Sequence, residues 1–436
     1  MFNKIIKGKK LEGAVLPPPS KSMLHRYIIS ASLAKGVSKI RNINFSDDIV
    51  ATIEGMKKFG ASIEFKEDIN SNYLEIDGTN TFNENFLNNN SIIDCKESGS
   101  TLRFLLPLAL IKKNIISFKG EGKLFTRPLE PYFENFDKYG IKYFYENENQ
   151  LFLDGELKAG TYEIDGNISS QFITGLLFSL PLLQSSSKIL LRGKLESSSY
   201  VDMTLDYLKK FGIEIKNKNY SEFIIEGNQT FKSADLTVEA DFSQTAFFLV
   251  ANATGSKIDI QGLNENSLQG DKKIIDFINL IDNAQYGKRL IIDGSETPDI
   301  IPILSLKAAM KNVETEIVNL SRLRIKESDR LSATVCELKK MGFDIKEKKD
   351  SILINSRYGE NSVINTLYGD DMINLSEPVA VSSHADHRIA MLLAIASTCF
   401  DGEILLDNLD CVKKSYPNFW EVFTNLGGKI YEHLGK

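Results

Sequence analysis

One phrase recurs six times along the 436-residue chain and limits the fold more than any other feature. It consists of an amphipathic helix, a glycine or asparagine stop, and a short alternating strand, at intervals of about 70 residues. The stops are Gly60, Gly140, Gly212, Asn283, Gly342 and Gly428. A left-handed residue at each stop would end the helix and lead into the strand, so each phrase predicts an α/β unit. Coincidental stops in a generic α/β protein are the alternative.

Six such units predict an α/β protein of two similar domains with three repeats in each. The length favours two or three domains, since a domain usually has about 150 residues. No low-complexity linker separates the halves. The only marks of a crossing are the prolines at 17–19 and the polar stretch 228–235, so we expect the chain to pass between the domains twice.

The charge balance excludes a nucleic-acid partner. Lys and Arg number 52 against 58 Asp and Glu, which gives a net charge of -6 and no basic excess. A bound anion must therefore be held by a local group of cations. The first eleven residues lack the apolar run of a signal peptide, and the longest apolar stretches are shorter than the roughly 20 residues of a membrane span. We expect no contact with a membrane.

The four cysteines indicate neither a zinc site nor a disulfide framework. Cys95, Cys336, Cys399 and Cys411 are far apart and form no C-x-x-C pair. This usage fits a reducing cytoplasm.

Three helices predicted from apolar periodicity have polar beginnings. In the segment 17–34 a serine caps the helix. The segments 97–111 and 167–183 are apolar nearly all round and must be buried, so their polar starts need partners. The starts hold Lys21, Ser22 and Arg26 in the first, Ser98, Gly99, Ser100 and Arg103 in the second, and Ser169, Ser170 and Gln171 in the third. Free N–H groups and hydroxyls at helix N-termini suit a phosphate or carboxylate; helices with self-satisfying caps are the alternative.

Two later helices begin with charged side chains. Arg388 stands at the start of the helix predicted at 385–396, where it suits an anion clamp. A metal pair of His384 and His387 lacks a third nearby ligand and is disfavoured. The segment 322–342 places Lys326, Glu327 and Arg330 where its helix begins, and an exposed ion-pair face is the alternative there.

Several familiar catalytic motifs are missing. The chain contains no GxxxxGK[ST], no GxGxxG after a strand, no GxSxG and no HExxH. Nucleotide, dinucleotide, serine-hydrolase and zinc-hydrolase chemistries therefore lose most of their support. The remaining picture is an enzyme without a cofactor, whose cationic and hydroxyl groups receive substrates that carry several negative charges.

Ten segments, in order, resemble the 5-enolpyruvylshikimate-3-phosphate synthases (3-phosphoshikimate 1-carboxyvinyltransferases) of the enolpyruvyl transferase family. They are PSKSMLHR at 19–26, SGSTLR at 98–103, RPLE at 127–130, SSQFITGLL at 169–177, SSSYVDMTL at 197–205, VEADFSQTAFFL at 238–249, PDIIP at 298–302, RIKESDRL at 324–331, DHRIAM at 386–391 and KSYP at 414–417. The resemblance implies two domains, each of three βαβαββ-type repeats. One domain is 21–237, on the shikimate 3-phosphate side. The other joins 1–20 to 238–436, on the phosphoenolpyruvate and acid/base side.

The resemblance also implies an activity. Members transfer the enolpyruvyl group of phosphoenolpyruvate to the 5-hydroxyl of shikimate 3-phosphate and release phosphate, through a tetrahedral intermediate and with neither a metal nor an organic cofactor. This step belongs to the shikimate pathway to chorismate and the aromatic amino acids. The implied partners are the two small-molecule substrates, and the implied state is a monomer in the cytoplasm.

The site residues come from the same resemblance. The catalytic groups are Lys21, Asp299 and Glu327. Shikimate 3-phosphate is held by Lys21, Ser22, Arg26, Ser169, Ser170, Gln171, Ser197, Tyr200, Asp299 and Lys326. Phosphoenolpyruvate is held by Lys21, Gly99, Arg127, Gln171, Arg330, Arg388 and Lys414, and domain closure would bring the last three together with Arg127.

Three departures limit this transfer of roles. Many members have Asn-Ala-Gly-Thr-Ala where this chain has Glu-Ser-Gly-Ser-Thr at 97–101, so sensitivity to the inhibitor glyphosate stays open. Arg322 stands where some members have a substrate-contacting Asn, and Ala385 replaces the usual Asn before Asp-His-Arg.

Two rival functions share the fold. The sister enzymes transfer enolpyruvyl to a UDP-linked amino sugar, such as UDP-N-acetylglucosamine, and depend on a loop cysteine that the segment 119–131 lacks. A catalytically inactive binding module is the second rival. The presence of Lys21, Asp299 and Glu327 argues against it.

Overall fold

The chain divides into two compact units. A computed structural model describes residues 4–68, 72–83, 91–285, 287–311, 313–355, 373–374 and 377–432. The inserted unit is Pro19–Glu239, and the split unit joins Met1–Pro18 to Ala240–Lys436. Each unit has its own hydrophobic core of buried side chains. No helix within the described ranges is long and apolar enough to cross a membrane.

The strands within these ranges are short and numerous. The split unit begins with β1 Lys4–Lys7 and β2 Glu12–Val15. The inserted unit has β3 Val37–Arg41, β4 Ser62–Lys66, β5 Tyr73–Asp77, β6 Ser91–Asp94, β7 Asn114–Lys119, β8 Lys142–Asn147, β9 Gln150–Gly155, β10 Thr161–Asp165, β11 Ser187–Arg192, β12 Ile215–Lys218, β13 Glu222–Ile225 and β14 Leu236–Thr237. The rest of the split unit has β15 Lys257–Ile260, β16 Leu290–Asp293, β17 Thr315–Val318, β18 Ile345–Glu347, β19 Ile352–Ile354, β20 Ile373–Asn374, β21 Val379–Val381, β22 Phe400–Asp401, β23 Ile404–Leu406 and β24 Lys429–Glu432.

Within the described ranges, five four-stranded sheets repeat one plan. In each, the first strand runs parallel to the second, and the third and fourth are antiparallel to their neighbours. The orders are β14-β3-β5-β4, β6-β7-β9-β8, β10-β11-β13-β12, β16-β17-β19-β18 and β21-β23-β1-β24. In the described residues β2 pairs only with β15, and β20 with β22. The predicted α/β fold with repeated units is confirmed.

Two kinds of helix alternate along the chain. The helices are α1 Lys21–Leu33, α2 Asp47–Lys58, α3 Gly99–Leu108, α4 Glu130–Tyr139, α5 Ser170–Ser179, α6 Ser198–Lys210, α7 Phe242–Ala253, α8 Ile274–Asp282, α9 Ile301–Ala309, α10 Arg330–Lys340, α11 His387–Ser397 and α12 Phe419–Asn425. The odd-numbered helices are apolar and almost wholly buried, and the even-numbered ones bury a single face. The buried set must therefore satisfy its polar N-termini within the protein.

Four of the six predicted helix stops are left-handed glycines, at positions 60, 140, 212 and 342. Asn283 is not left-handed, since its φ is -93°, and its side-chain Nδ2 donates to the carbonyl of Asn279 at 2.8 Å instead. The last stop is Gly427 (φ 104°) rather than Gly428. Gly428 has a different reason to be glycine, because a Cβ there would overlap the ring of Phe423.

Candidate active site

Lys21 is the first residue of α1, and its charge is paired inside the inserted unit. Its Nζ donates to Oδ2 of Asp48, at the start of α2, at 2.8 Å. The side chain of Lys21 is 19% exposed and that of Asp48 only 6%. A carboxylate at this distance fixes the position of the ammonium group. Asp48 was not among the predicted site residues.

Arg26 lies one turn further along α1 and is buried. Its Nε donates to Oγ1 of Thr204 at 2.8 Å, and Nη1 donates to the carbonyl of Ser22 at 2.7 Å. Nη2 donates to the carbonyl of Tyr200 at 3.2 Å. These bonds join α1 to α6, so the predicted group of Ser22, Arg26 and Tyr200 is brought together.

The starts of α3 and α5 meet around an amide. Nη1 of Arg103 donates to Oε1 of Gln171 at 2.8 Å, and Nε2 of Gln171 donates to Oγ of Ser100 at 2.9 Å. A Cβ on Gly99 would lie 3.1 Å from Nη1 of Arg103 and 3.2 Å from Nη1 of Arg127. Glycine therefore lets two guanidinium groups approach the N-terminus of α3, where free N–H groups also attract anions.

The hydroxyl groups predicted to hold a phosphate stand at two helix starts. Ser169 caps α5, accepting from the backbone N–H of Gln171 at 3.3 Å, and Ser170 is the first residue of that helix. Ser197 precedes α6 and is fully buried, with a left-handed φ of 58°. A residue at this position usually adopts the extended region, and left-handed non-glycine residues tend to mark functional sites.

The split unit gathers a second group of charges around Arg330, the first residue of α10. Its Nη2 donates to Oε2 of Glu327 at 2.6 Å, and its Nη1 donates to Oδ1 of Asp299 at 2.8 Å. Nε donates to Oδ2 of Asp386 at 2.9 Å. The guanidinium is only 1% exposed, so the three carboxylates compensate a buried charge.

Three more cations complete this group. Nζ of Lys326 lies 3.4 Å from Oδ1 of Asp299, Nη2 of Arg388 lies 3.9 Å from Oδ2 of Asp299, and Nζ of Lys414 lies 3.4 Å from Oε1 of Glu327. Burial would raise the pKa of Asp299, but Lys326, Arg388 and Arg330 hold it well below its usual range. Burial lowers the pKa of Lys326, and the negative charge of Asp299 opposes this decrease.

A second buried carboxylate, Asp271, titrates in the opposite sense. Burial raises its pKa to about 7, the charge of Asp299 adds to the rise, and Arg388 opposes it. The environment thus separates the pKa values of two carboxylates, keeping Asp299 ionised and Asp271 partly protonated at neutral pH. Asp271 was not among the predicted site residues. In the sequence it is only an acidic residue shortly before α8, which does not indicate a functional site.

Replacing Asp271 with Asn should stabilise the protein more as the pH rises. An acid whose folded pKa lies above its unfolded value binds an extra proton in the folded state, so wild-type stability falls between pH 4 and 7. The slope is up to ~1.4 kcal/mol per pH unit. Urea unfolding of both proteins from pH 4 to 8 should give a stability difference that grows to about pH 7 and then levels. A difference independent of pH would show that Asp271 does not titrate this way.

The three departures from the family pattern have distinct surroundings. Arg322 is buried and its Nη1 donates to the carbonyl of Ser295 at 3.4 Å. Ala385 is left-handed (φ 53°), as is His384 (φ 52°). Alanine is strained there, and the usual Asn would adopt this conformation more readily. The side chain of Glu97 lies against the backbone of Gly122, where a Cβ would overlap it.

His384 and His387 have separate surroundings. Nε2 of His384 lies 2.7 Å from Oε1 of Glu337, and Nδ1 of His387 lies 3.9 Å from Oδ1 of Asp386. Across the part of the chain that the structure describes, no three His, Cys, Asp or Glu side chains are arranged to hold a metal ion.

The predicted site residues thus form one set in each unit. The inserted unit holds Lys21, Ser22, Arg26, Gly99, Arg127, Ser169, Ser170, Gln171, Ser197 and Tyr200, and the split unit holds Asp299, Lys326, Glu327, Arg330, Arg388 and Lys414. Both sets combine fixed cations with hydroxyl or carboxylate groups, which suits acid/base chemistry on polyanionic substrates.

Comparison with known proteins gives a consistent picture. The family model of EPSP synthase (3-phosphoshikimate 1-carboxyvinyltransferase) matches residues 5–423. The 3-phosphoshikimate 1-carboxyvinyltransferase of Clostridium perfringens (strain 13 / Type A) is 49% identical, over 98% of this chain and 99% of that protein. That of Clostridium beijerinckii is also 49% identical, over 99% of both chains.

Solved structures extend the likeness to the fold. EPSP synthase from Acinetobacter baumannii has a TM-score of 0.76 at 21% identity, covering 98% of this chain and 100% of that one. The enolpyruvyl transferase NikO from Streptomyces tendae has a TM-score of 0.75 at 14% identity, covering 100% and 99%.

Proposed function

This chain belongs to the EPSP synthase family, and from that premise we propose how its two sets of side chains divide the work of the reaction. The protein is a 3-phosphoshikimate 1-carboxyvinyltransferase, an enzyme of aromatic amino acid biosynthesis. It transfers the enolpyruvyl group of phosphoenolpyruvate to the 5-hydroxyl of shikimate 3-phosphate. The observation that carries the assignment of roles is that the buried Arg330 binds both Asp299 and Glu327, which are partly exposed.

Shikimate 3-phosphate is bound mainly by the inserted unit. Ser169, Ser170 and Ser197 receive its phosphate, because they place hydroxyl groups at the starts of α5 and α6, where helix N-termini favour anions. Ser22 and Arg26 take the ring carboxylate. The remaining contacts come from Lys21, Gln171, Tyr200, Lys326 and, at the reacting hydroxyl, Asp299.

Phosphoenolpyruvate is bound mainly through positive charges. Arg127, Arg388, Lys21 and Lys414 supply charge to its phosphate and carboxylate, and Gly99 and Gln171 supply hydrogen bonds. Arg330 contributes in the same way, through the part of its guanidinium that the carboxylates leave open.

Protons move in both steps of the reaction. In the addition, the substrate hydroxyl oxygen bonds to C2 of phosphoenolpyruvate, its proton leaves, and the methylene carbon gains a proton. In the elimination, the C–O bond to phosphate breaks and the new methyl group loses a proton. We assign the hydroxyl proton to Asp299 and the proton on carbon to Glu327, with Lys21 as a further proton donor.

Two further properties of the chain bear on its cellular setting. The four cysteines are thiols rather than members of disulfides, which supports a reducing cytoplasm as the location. We propose a monomer, because each unit encloses its own core and both sets of site residues belong to one chain.

The substrate requirement provides the direct test. Phosphate release should need both phosphoenolpyruvate and shikimate 3-phosphate and should persist in excess chelator, since the assigned roles use side chains alone. A coupled phosphate assay, with and without each substrate and EDTA, measures this. Equal turnover with a UDP-amino sugar, or loss of activity on chelation, would overturn the assignment.

A further inference from the structure

Arg330 has few donors left for a substrate. A guanidinium carries five N–H donors. The Nε hydrogen and one Nη2 hydrogen go to Asp386, at 2.9 and 3.1 Å. The second Nη2 hydrogen goes to Glu327 at 2.6 Å, and one Nη1 hydrogen goes to Asp299 at 2.8 Å. Four of the five donors therefore serve carboxylates of the protein.

This use of donors limits what Arg330 does for phosphoenolpyruvate. A bidentate grip on a carboxylate or phosphate requires two parallel N–H groups on one edge of the guanidinium. Both two-donor edges of Arg330 already contact carboxylates. The main task of this arginine is therefore to hold Glu327 and Asp299 in place.

Asp386 holds Arg330 in turn. Its carboxylate is fully buried and accepts four hydrogen bonds. Oδ2 accepts from Nε of Arg330 and from Oγ of Ser328, the latter at 3.0 Å. Oδ1 accepts from Nη2 of Arg330 and from the backbone N–H of Arg388, the latter at 2.9 Å. The two-point contact fixes both the position and the rotation of the guanidinium.

We propose that Asp386 is a positioning residue that acts through Arg330 on the two acid/base carboxylates. The inference rests on the proposed roles of Glu327 and Asp299. Fixing the guanidinium fixes both carboxylates, because each lies within 2.8 Å of it. Displacing a reacting group by about 1 Å can lower a rate by roughly a hundredfold.

Asp386 also caps α11. A substitution can distinguish this capping role from the contact with Arg330. Asn caps a helix about as well as Asp, so Asp386→Asn keeps the bond to the backbone of Arg388. An amide has one acceptor oxygen, so the substitution turns an N–H₂ group toward one of the two donors of Arg330. Ser328 can rotate its hydroxyl, whereas the guanidinium must move.

A double-mutant cycle in the full-length enzyme tests the proposal. The variants are Asp386→Asn, Arg330→Lys and both together, with kcat and the KM of each substrate measured on folded protein. We expect each single change to lower kcat by about 10- to 100-fold. The double variant should be no slower than the slower single variant, because both changes disturb the same arrangement.

The matched control is Asp329→Asn. Asp329 caps α10 beside Arg330, accepting from the backbone N–H of Ser332 at 3.0 Å, but its ion pair is with Arg324. Its kcat should stay within about twofold of wild type, because Asn keeps the helix cap and the change does not touch Arg330.

Three results would overturn the proposal. They are near-normal turnover of Asp386→Asn, effects that multiply in the double variant, and a raised KM for phosphoenolpyruvate with unchanged kcat in Arg330→Lys. If Asp386→Asn does not fold, the result for Arg330→Lys decides by itself whether the proposal stands. Glu327→Gln, assayed alongside, separates this failure from failure of the proposed acid/base roles: a slow Glu327→Gln with a normal Asp386→Asn rejects only the positioning role.

Discussion

Replacing Glu327 with Gln should lower kcat by roughly 100- to 10,000-fold, the usual contribution of a positioned proton-transfer group. Oε2 of Glu327 lies 2.6 Å from Nη2 of Arg330, and Oε1 lies 3.4 Å from Nζ of Lys414. Two cations at these distances hold the carboxylate in place, where the proposed role requires it to accept a proton. Gln keeps the size and a hydrogen-bond acceptor but cannot take that proton. Substrate dissociation constants should change little, because the loss falls on the transition state.

Glu337→Gln is the matched control for this change. Glu337 is also a buried glutamate of the split unit, bonded to His384 and Lys340, and these partners lower its pKa to about 2 against the effect of burial. Its loss should lower the thermal midpoint while sparing kcat. The alternative role for Glu327 is a purely structural ion pair. A Glu327→Gln enzyme with normal turnover and a reduced thermal midpoint would establish that role.

Replacing Arg388 with Ala should weaken phosphoenolpyruvate binding by about tenfold to more than a hundredfold. A charge-assisted hydrogen bond contributes on the order of 1.5 to 3 kcal/mol, which sets this range. Arg388 is 3% exposed, its Nη1 donates to the carbonyl of Ser243 at 2.9 Å, and its Nη2 faces Asp299. The affinity for shikimate 3-phosphate should change much less, and Arg127→Ala should behave alike.

Calorimetry with each substrate distinguishes these outcomes. Arg324→Ala is the control, since Arg324 lies in the same unit but pairs with Asp329 and Glu347 on a more exposed surface. Its substrate affinities should match wild type. If Arg388→Ala weakened shikimate 3-phosphate binding more than phosphoenolpyruvate binding, the arginine would have been assigned to the wrong substrate.

Much of the site could be predicted because its residues lie at helix beginnings that the sequence marks. Lys21 follows a serine cap, Gly99 and Ser170 open apolar helices, and Arg330 opens an amphipathic one. Periodicity and capping are local properties, so they can be recognised without tertiary structure. The repeated α/β units followed from the same kind of local pattern, whereas the strand order within each sheet did not.

The partners of these residues could not be predicted, because they come from other elements. Asp48 reaches Lys21 from α2, 27 residues away, and Asp386 reaches Arg330 across 56 residues. Which carboxylate is buried beside which cation depends on packing between elements, and a single sequence does not encode it locally. Asn283 shows the same limit at small scale, since its side chain rather than a left-handed turn completes the helix end.

The place of β1 in its sheet has a consequence for biosynthesis. β1 pairs with β23 and β24, so Lys4 lies opposite both Leu406 and Glu432. The inserted unit has all its strands once residue 239 has left the ribosome, and domains generally fold as units in the order of synthesis. The split unit must instead keep its first strand unpaired until almost the whole chain exists. Changes within residues 4–15 should therefore impair the folding of the later unit while the earlier one forms normally.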